Sequence, residues 1–296
     1  MNVSATAPKR DVAPLPTVTR VLVIGAGTMG SGIAQIVAEA CIQTMICDAD
    51  PRSLEHGIAG IRKRWQRAVE KGTRSPEDLA NFGAHIEPGR IEDASAADLI
   101  IEAIAERLDA KSALFADLAG VARPETIFAS NTSSLSITAL GKASGRPHNL
   151  VGLHFFNPVP VLPLVEVVAG LETAPGTIKA AVAFAERIGK IPVVVHDSPG
   201  FVANRVLLPM INEAIFTLEQ GVASAESIDR VMKLGMAHPM GPLALADLIG
   251  LDICLEILET LHGDFGDDKY RPAPLLRRMV AAGRLGRKTS HGFFAY

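Results

Sequence analysis

Four polar residues stand in apolar or glycine-rich surroundings, and their types suit proton transfer: Ser133, His154, Glu166 and Asn204. A histidine can act as a general base near neutral pH, because its ordinary pKa lies close to neutrality. A carboxylate on the other ring nitrogen fixes the tautomer and stabilises the imidazolium. A hydroxyl and an amide can hold the oxygen atoms of a substrate. The four residues therefore suit a reaction in which a hydroxyl group loses its proton.

Each of these residues also has a structural explanation. A single histidine is more often a hydrogen-bonded structural residue, and Glu166 could form a salt bridge or lie at an exposed sheet edge. Ser133 could cap a helix ahead of Ile137, and Asn204 could be an ordinary surface amide. A shared role requires secondary structure that brings the four together.

The elements that carry these residues follow two patterns. From residue 20 to 195, apolar runs alternate with helical patterns, which is typical of a parallel sheet covered by helices. Ligands bind at the carboxyl ends of such strands, where His154 and Ser133 are expected. From Pro199 onward only helical periodicity recurs. The predicted strands are 20–24, 44–48, 98–102, 126–129, 150–154, 163–168 and 191–195, and the later helices are 199–219, 224–234, 243–262 and 273–282.

A glycine-rich turn follows the first of these strands and precedes a helical pattern. Gly25 permits a tight turn, Gly27 lets the backbone approach phosphate groups, and Gly30 lets the helix pack closely on the strand. The helix N-terminus presents unpaired N–H groups to an anion. This context predicts a dinucleotide site with contacts from Gly25, Gly27, Thr28, Met29 and Gly30.

Asp48 ends the next apolar run, 18 residues after Gly30. A carboxylate there hydrogen-bonds the ribose 2′-hydroxyl of NAD and repels the 2′-phosphate of NADP. Arg52 weakens this argument slightly because an arginine could meet a phosphate. NAD is the favoured cofactor. A reaction that combines this cofactor with loss of a hydroxyl proton is alcohol oxidation, in which a hydride leaves carbon while a base takes the hydroxyl proton.

Composition excludes several classes of partner. The net charge of −3 includes no long block of one sign, so no nucleic acid is expected. No apolar run reaches the roughly 18 residues of a membrane span, so no membrane association is expected. Three cysteines without metal-ligand spacing indicate free thiols in a reducing compartment, no metal and a cytoplasmic location.

The predicted organisation has three parts: a disordered tail at 1–19, an NAD-binding Rossmann domain at 20–196 and a helical substrate and dimerisation domain at 197–296. The fold class is therefore α/β, a Rossmann-type doubly wound sheet followed by an all-α C-terminal domain. The helical segments are more apolar than one small bundle needs, which favours a homodimer, although a tightly packed core explains this nearly as well.

Longer motifs resemble the 3-hydroxyacyl-CoA dehydrogenase family, and within it the short bacterial 3-hydroxybutyryl-CoA dehydrogenases. The resemblance runs from about residue 20 to 296, on segments 24–30, 127–134, 152–160, 197–205, 232–235, 238–244 and 286–289. It implies that His154 is the base, that Glu166 orients it, and that Ser133 and Asn204 hold the substrate. The cofactor contacts that it implies are Asp48, Glu106, Lys111, Ser133, Asn157 and Lys288.

The resemblance also implies the substrate, which is (S)-3-hydroxybutyryl-CoA, or acetoacetyl-CoA in the reverse direction. A basic helix after Pro51 carries Arg52 and His56, the candidate contacts to the CoA part of this acyl-CoA. The basic stripe of this helix is also explained by a solvated face. Two departures from the family affect ligand affinity: His56 stands where relatives often carry lysine, and Ser290-His291 replaces the usual pair before Gly292.

Three alternatives remain. A sugar-acid dehydrogenase resembling gulonate dehydrogenase would carry a different proline-rich stretch in place of 155–160. A catalytically silent NAD-binding protein would not need a base, and the intact quartet argues against it. The third alternative is a CoA-binding subunit that acts only within a complex.

Overall fold

A computed structural model describes residues 18–296. The predicted N-terminal tail, apart from its last two residues, lies outside the described residues. Val18 is buried, and both the amide and the hydroxyl of Thr19 donate to Oδ2 of Asp98, at 2.8 and 2.7 Å. The described fold thus begins two residues before the predicted domain start at Arg20.

The chain divides into two compact units. The first unit contains the described residues up to Ala105, then Asp109–Asn131 and Leu140–Val194. The second unit contains Glu106–Leu108, Thr132–Ala139 and Val195–Tyr296. Two short segments that precede the predicted boundary at residue 196 therefore cluster with the helical unit.

An eight-stranded sheet with the order β3-β2-β1-β4-β5-β6-β7-β8 confirms the predicted Rossmann-type class. The short strand β3 was not predicted, because its three residues end in a proline and contain no apolar run. The strands are β1 Arg20–Ile24, β2 Gln43–Cys47, β3 Ile86–Pro88, β4 Leu99–Glu102, β5 Ile127–Ser130, β6 Leu150–Phe155, β7 Leu164–Ala169 and β8 Ile191–His196.

Strands β1 to β6 pair in parallel, as predicted, but β7 runs antiparallel to β6. The expectation of a parallel strand here was wrong. The connection 156–163 is too short for the crossover that a parallel strand needs, so the chain forms a hairpin. In this hairpin His154 is directly opposite Glu166.

Six α-helices of the described residues lie between β1 and β8. Asp50 caps α2 by accepting a hydrogen bond from the amide of Arg52, and Pro51 occupies the first turn, where its missing N–H is not needed. Ser75 and Asp78 form a capping box at the start of α3. These helices are α1 Thr28–Glu39, α2 Pro51–Glu70, α3 Pro76–Gly83, α4 Leu108–Val121, α5 Ile137–Ala143 and α6 Pro175–Arg187.

Five α-helices follow, which confirms the predicted all-α C-terminal region: α7 Ala203–Glu219, α8 Ala225–Gly235, α9 Pro242–Ile249, α10 Leu251–Phe265 and α11 Pro274–Ala281. The prediction of one helix over 243–262 was wrong, because Gly250 adopts φ 108° and separates α9 from α10. The predicted start at Pro199 was also wrong. Gly200 and Phe201 have positive φ angles of 71° and 48°, so no helix continues through them.

None of the helices within residues 18–296 is long and apolar enough to cross a membrane.

Candidate active site

The glycine turn between β1 and α1 is shaped by steric limits at two positions. Gly25 has φ 103°, and a Cβ atom there would lie 2.5 Å from the carbonyl oxygen of Ala103. A Cβ atom at Gly30 would lie 1.7 Å from the carbonyl oxygen of Gly25. Gly27 precedes α1, and a Cβ atom there would meet nothing within 4 Å. The turn is therefore closed behind Gly25 and Gly30 and open at Gly27, as a phosphate-binding turn requires.

Asp48 lies at the end of β2, beside this turn. Its Oδ2 atom accepts a hydrogen bond from the amide of Ala26 at 2.7 Å, and its Oδ1 atom accepts one from the amide of Asp50 at 2.9 Å. The carboxylate also lines a cleft of about 750 Å³ together with Gly25, Gly27 and Arg90. Such a cleft is within the size range of cofactor sites, and an acid beside an open glycine turn fits the ribose of NAD.

Thr28 and Met29 form the first turn of α1, where Thr28 is exposed and Met29 is half-buried. Their roles as cofactor contacts remain a prediction. Gly57 of α2 also approaches the turn, since a Cβ atom there would lie 2.5 Å from the carbonyl oxygen of Ala26. The glycine at position 57 therefore lets α2 pack directly on the turn.

His154 and Glu166 form a buried pair across the β6–β7 hairpin. Nδ1 of His154 lies 2.7 Å from Oε2 of Glu166, and the two residues are 6% and 3% exposed. The ring of Phe156 is tilted against the imidazole, with ring centres 4.5 Å apart. Because Glu166 holds the Nδ1 side of the ring, proton exchange with a substrate would use Nε2.

Asn157 follows this strand and is exposed. At the end of β6, the amide of Phe155 donates a hydrogen bond to Oδ1 of Asn131 at 3.0 Å. Asn131 follows β5, and this bond connects the ends of β5 and β6. Asn131 was not singled out from the sequence, although its place directly after a buried strand is a usable signal.

Lys111, predicted to contact the cofactor, is only 1% exposed and belongs to a buried polar cluster at the ends of β4 and β5. Its Nζ lies 2.5 Å from Oε1 of Glu102, which is fully buried. Glu102 also accepts hydrogen bonds from the hydroxyl of Ser130 at 2.6 Å and from the amide of Ile104 at 2.7 Å. Sequence reasoning missed Glu102, although an acid that ends an apolar strand is the same signal that identified Asp48.

In the second unit, Glu106, Ser133 and Asn204 lie together. Oε1 of Glu106 accepts hydrogen bonds from the amide of Ser133 at 2.8 Å, from its hydroxyl at 3.3 Å and from the hydroxyl of Thr132 at 2.5 Å. Asn204 is the second residue of α7, and its amide group donates to the carbonyl oxygen of Ser133 at 3.0 Å. Asn204 is therefore not an ordinary surface amide, and Thr132, fully buried, is a missed member of this cluster.

The alternative role of Ser133, capping α5, belongs instead to Ser136. The hydroxyl of Ser136 accepts a hydrogen bond from the amide of Ala139, two residues after α5 begins. Thr132 also accepts hydrogen bonds from main-chain amides, those of Ser134 and Leu135. Ser133 is thus held by its neighbours without being the cap.

Arg52 and His56 are exposed in the first two turns of α2. Arg64, farther along the same helix, does not belong to the exposed stripe. Its guanidinium donates to Oε1 of Gln35 and to the carbonyl oxygen of Ser31. Burial lowers the pKa of Arg64, and the negative charge of a nearby carboxylate acts in the opposite direction. The exposed basic residues that remain are Arg62, Lys63, Arg67 and Lys71.

Lys288 lies near the C-terminus of the second unit. Its Nζ atom is 2.5 Å from Oδ2 of Asp252, and its side chain is 44% exposed. The resemblance implied a cofactor contact for this lysine, and the structure gives it a carboxylate partner on α10. Among residues 18–296, no group of three or more histidine, cysteine or carboxylate side chains is placed to hold a metal ion.

Comparison with known proteins identifies the family. The model for the 3-hydroxyacyl-CoA dehydrogenase NAD binding domain matches residues 20–198, and the model for the C-terminal domain of the same family matches residues 200–296. A probable 3-hydroxybutyryl-CoA dehydrogenase of Bacillus subtilis (strain 168) is 51% identical over 280 residues, which cover 94% of this chain and 98% of that protein. A 3-hydroxybutyryl-CoA dehydrogenase of Bradyrhizobium diazoefficiens is 46% identical, with coverage of 94% and 96%.

A solved structure agrees with these similarities. The crystal structure of (S)-3-hydroxybutyryl-CoA dehydrogenase from Ralstonia eutropha has a TM-score of 0.92 and 45% identity, covering 95% of this chain and 99% of that one. Together with the glycine turn and Asp48, the matches define an NAD-dependent oxidoreductase on a Rossmann-type fold. The chain belongs to the 3-hydroxyacyl-CoA dehydrogenase family.

Proposed function

We propose that this enzyme interconverts (S)-3-hydroxybutyryl-CoA and acetoacetyl-CoA, with NAD as hydride acceptor and NADH as donor. The observation that carries the proposal is the buried His154–Glu166 pair on the β6–β7 hairpin. A histidine oriented by a carboxylate is the base that alcohol oxidation needs. The relatives named for 3-hydroxybutyryl-CoA support this substrate.

In the oxidation, Nε2 of His154 takes the proton of the substrate hydroxyl while the C–H bond of the carbon that bears this hydroxyl breaks. NAD, when bound, accepts the hydride from that carbon, so the alcohol becomes a ketone. Glu166 stabilises the imidazolium that forms and keeps the neutral ring in the tautomer with its proton on Nδ1. In the reverse reaction His154 returns the proton to the ketone oxygen.

Ser133 and Asn204 are proposed to hold the oxygen atoms of the substrate. Ser133 has its amide and hydroxyl on Glu106, and Asn204 is anchored on the carbonyl of Ser133. Such mutual anchoring restricts rotamers, and it supports a positioning role in which a hydroxyl and an amide keep a fixed geometry. Glu106, Asn157 and Lys288 remain proposed cofactor contacts.

Recognition of the CoA part is proposed for the N-terminal half of α2. Arg52 and His56 are exposed there, and the exposed basic residues of the same helix favour a phosphate-bearing group. The reacting end of a four-carbon acyl group offers little binding energy. Contacts to the remote nucleotide can support the orientation of that end, so they should affect turnover as well as affinity.

A homodimer built on the helical unit is also proposed. Val231 and Leu234 are 62% and 75% exposed on one face of α8, and Met236 just beyond it is 60% exposed. Apolar side chains clustered in this way are typical of an interaction surface. Val206 on α7 is a further exposed apolar residue, at 68%.

The test is a stopped or continuous assay of NADH oxidation with 3-ketoacyl-CoA esters of increasing chain length. We expect acetoacetyl-CoA to be reduced and the product to be the (S) alcohol. NADH binding without reduction of any ketoacyl-CoA would refute the proposal and favour a silent NAD-binding protein. Reduction of free keto acids alone would favour a sugar-acid or hydroxy-acid dehydrogenase.

A further inference from the structure

Lys190 is a buried lysine on the connection between α6 and β8. It is 8% exposed, and its Nζ atom donates to the carbonyl oxygens of Val159 and Leu162, at 2.5 and 2.7 Å. Burial lowers the pKa of this lysine, and the negative charge of Glu39 acts in the opposite direction. An ammonium group held by neutral carbonyl oxygens recovers little of its lost hydration, so its position is costly for the fold.

Both carbonyls belong to the segment 156–163 that connects β6 to β7, the strands of His154 and Glu166. Within this segment, the carbonyl oxygen of Pro158 accepts hydrogen bonds from the amides of Val161 and Leu162, each at 3.0 Å. The segment therefore forms a compact turn. Lys190 fixes the turn from the protein interior by donating hydrogen bonds to two carbonyl oxygens that the turn itself does not pair.

The same turn touches the helix that follows the glycine turn. Val159 is 2% exposed, and a Cβ atom at Gly32 of α1 would lie 2.9 Å from its Cβ atom. Asn157, the proposed cofactor contact, lies two residues before Val159, and Phe156 packs on His154. A shift of the turn would therefore move Asn157 relative to α1 and loosen the packing on His154.

We propose that Lys190 is a positioning residue, which holds the 156–163 turn so that Asn157 keeps the position required for NADH binding. This inference rests on the proposed function, because it uses the proposed role of Asn157. The hairpin strands already pair through their own main-chain bonds. If Lys190 were only a structural anchor, its loss would therefore lower the free energy of unfolding without changing the Kd for NADH.

The test compares Lys190→Met with Lys179→Met, which removes the same charge from an exposed position on α6. We expect Lys190→Met to raise the Kd for NADH about tenfold, the order of effect of losing a hydrogen-bonded buried charge, and Lys179→Met to leave it unchanged. NADH fluorescence measures the Kd, and a thermal melt shows that each variant is folded at the assay temperature. An unchanged Kd in folded Lys190→Met would overturn the inference.

A double-mutant cycle with Asn157→Ala separates positioning from general loosening. If Lys190 acts through Asn157, the Kd of the double variant for NADH is about that of the single variant with the higher Kd. Independent effects would multiply, and that result would also overturn the inference. Should Lys190→Met fail to fold, Lys190→Arg serves in the cycle, because it keeps the charge and donors while moving the anchoring point. NADH binding decides this test even if acetoacetyl-CoA is not reduced, a result that would refute the proposed function alone.

Discussion

Nδ1 of His154 lies 2.7 Å from Oε2 of Glu166, and the two residues are paired in the register of an antiparallel hairpin. The backbone thus sets the distance between the base and the carboxylate. Both side chains are buried, and the contact between them offsets part of the cost of burying polar groups. This arrangement is the basis of the first prediction.

Glu166→Gln is expected to lower kcat, because the amide keeps the shape of the side chain but does not stabilise the imidazolium. His154→Ala is expected to lower kcat by about 10²–10⁴-fold, the usual contribution of a positioned general base, while NADH still binds. Steady-state assays and NADH fluorescence measure the two effects. Full activity of Glu166→Gln at every pH would show that Glu166 is only structural.

NADPH is expected to be a much poorer donor than NADH, because Asp48 lines the cleft beside the glycine turn. Asp48→Asn should reduce this discrimination, since the amide removes the charge that repels a 2′-phosphate. Paired assays of kcat/KM with the two cofactors provide the measurement. A wild-type preference for NADPH would contradict the role of Asp48 and shift attention to Arg52.

Acetoacetyl-CoA is expected to react with a higher kcat and a lower KM than both acetoacetate and a short acetoacetyl thioester that lacks the nucleotide. Arg52→Ala should weaken only the reaction of the CoA ester. Arg67→Ala is the matched control, because Arg67 is exposed on the same helix about four turns later. Equal kcat/KM values for the three substrates would refute CoA recognition.

Leu234→Glu is expected to produce monomers, because it places a charge on the exposed apolar face of α8. Leu171→Glu makes the same substitution at a residue of the first unit that is 85% exposed, and it should leave the oligomer intact. Light scattering at micromolar concentration measures the mass. A fully active monomer in the wild type would rule the homodimer out.

Cys41 is expected to react first with an alkylating reagent at pH 8, because it is exposed whereas the other two thiols are buried. Burial, assisted by the charge of Asp48, raises the pKa of Cys47 to about 11, and burial raises that of Cys254 to about 12. Both remain protonated below those values, and the thiol form is a poor nucleophile. Mass spectrometry of the native protein should show one modification, with three after denaturation. Rapid labelling of Cys47 in the native state would contradict its burial.

The sequence by itself determined the glycine turn, the class of the fold and the residue types of the proposed site. Apolar periodicity identifies strands and helices. The glycine spacing predicts the turn, because Gly25 and Gly30 have no room for a Cβ atom. Asp48 was predictable because an acid that directly follows an apolar run has a definite place at the end of a strand.

Only the tertiary structure decided which residues meet across the chain. The antiparallel register that pairs His154 with Glu166, the burial of Lys111 on Glu102 and the clamp of Lys190 on the 156–163 turn all join residues distant from one another in sequence or on different elements. Periodicity records which face of an element is apolar, but it does not record which partner a buried charge finds. That choice is made when the elements pack, because a buried polar group is tolerated only where its partner is within hydrogen-bonding distance.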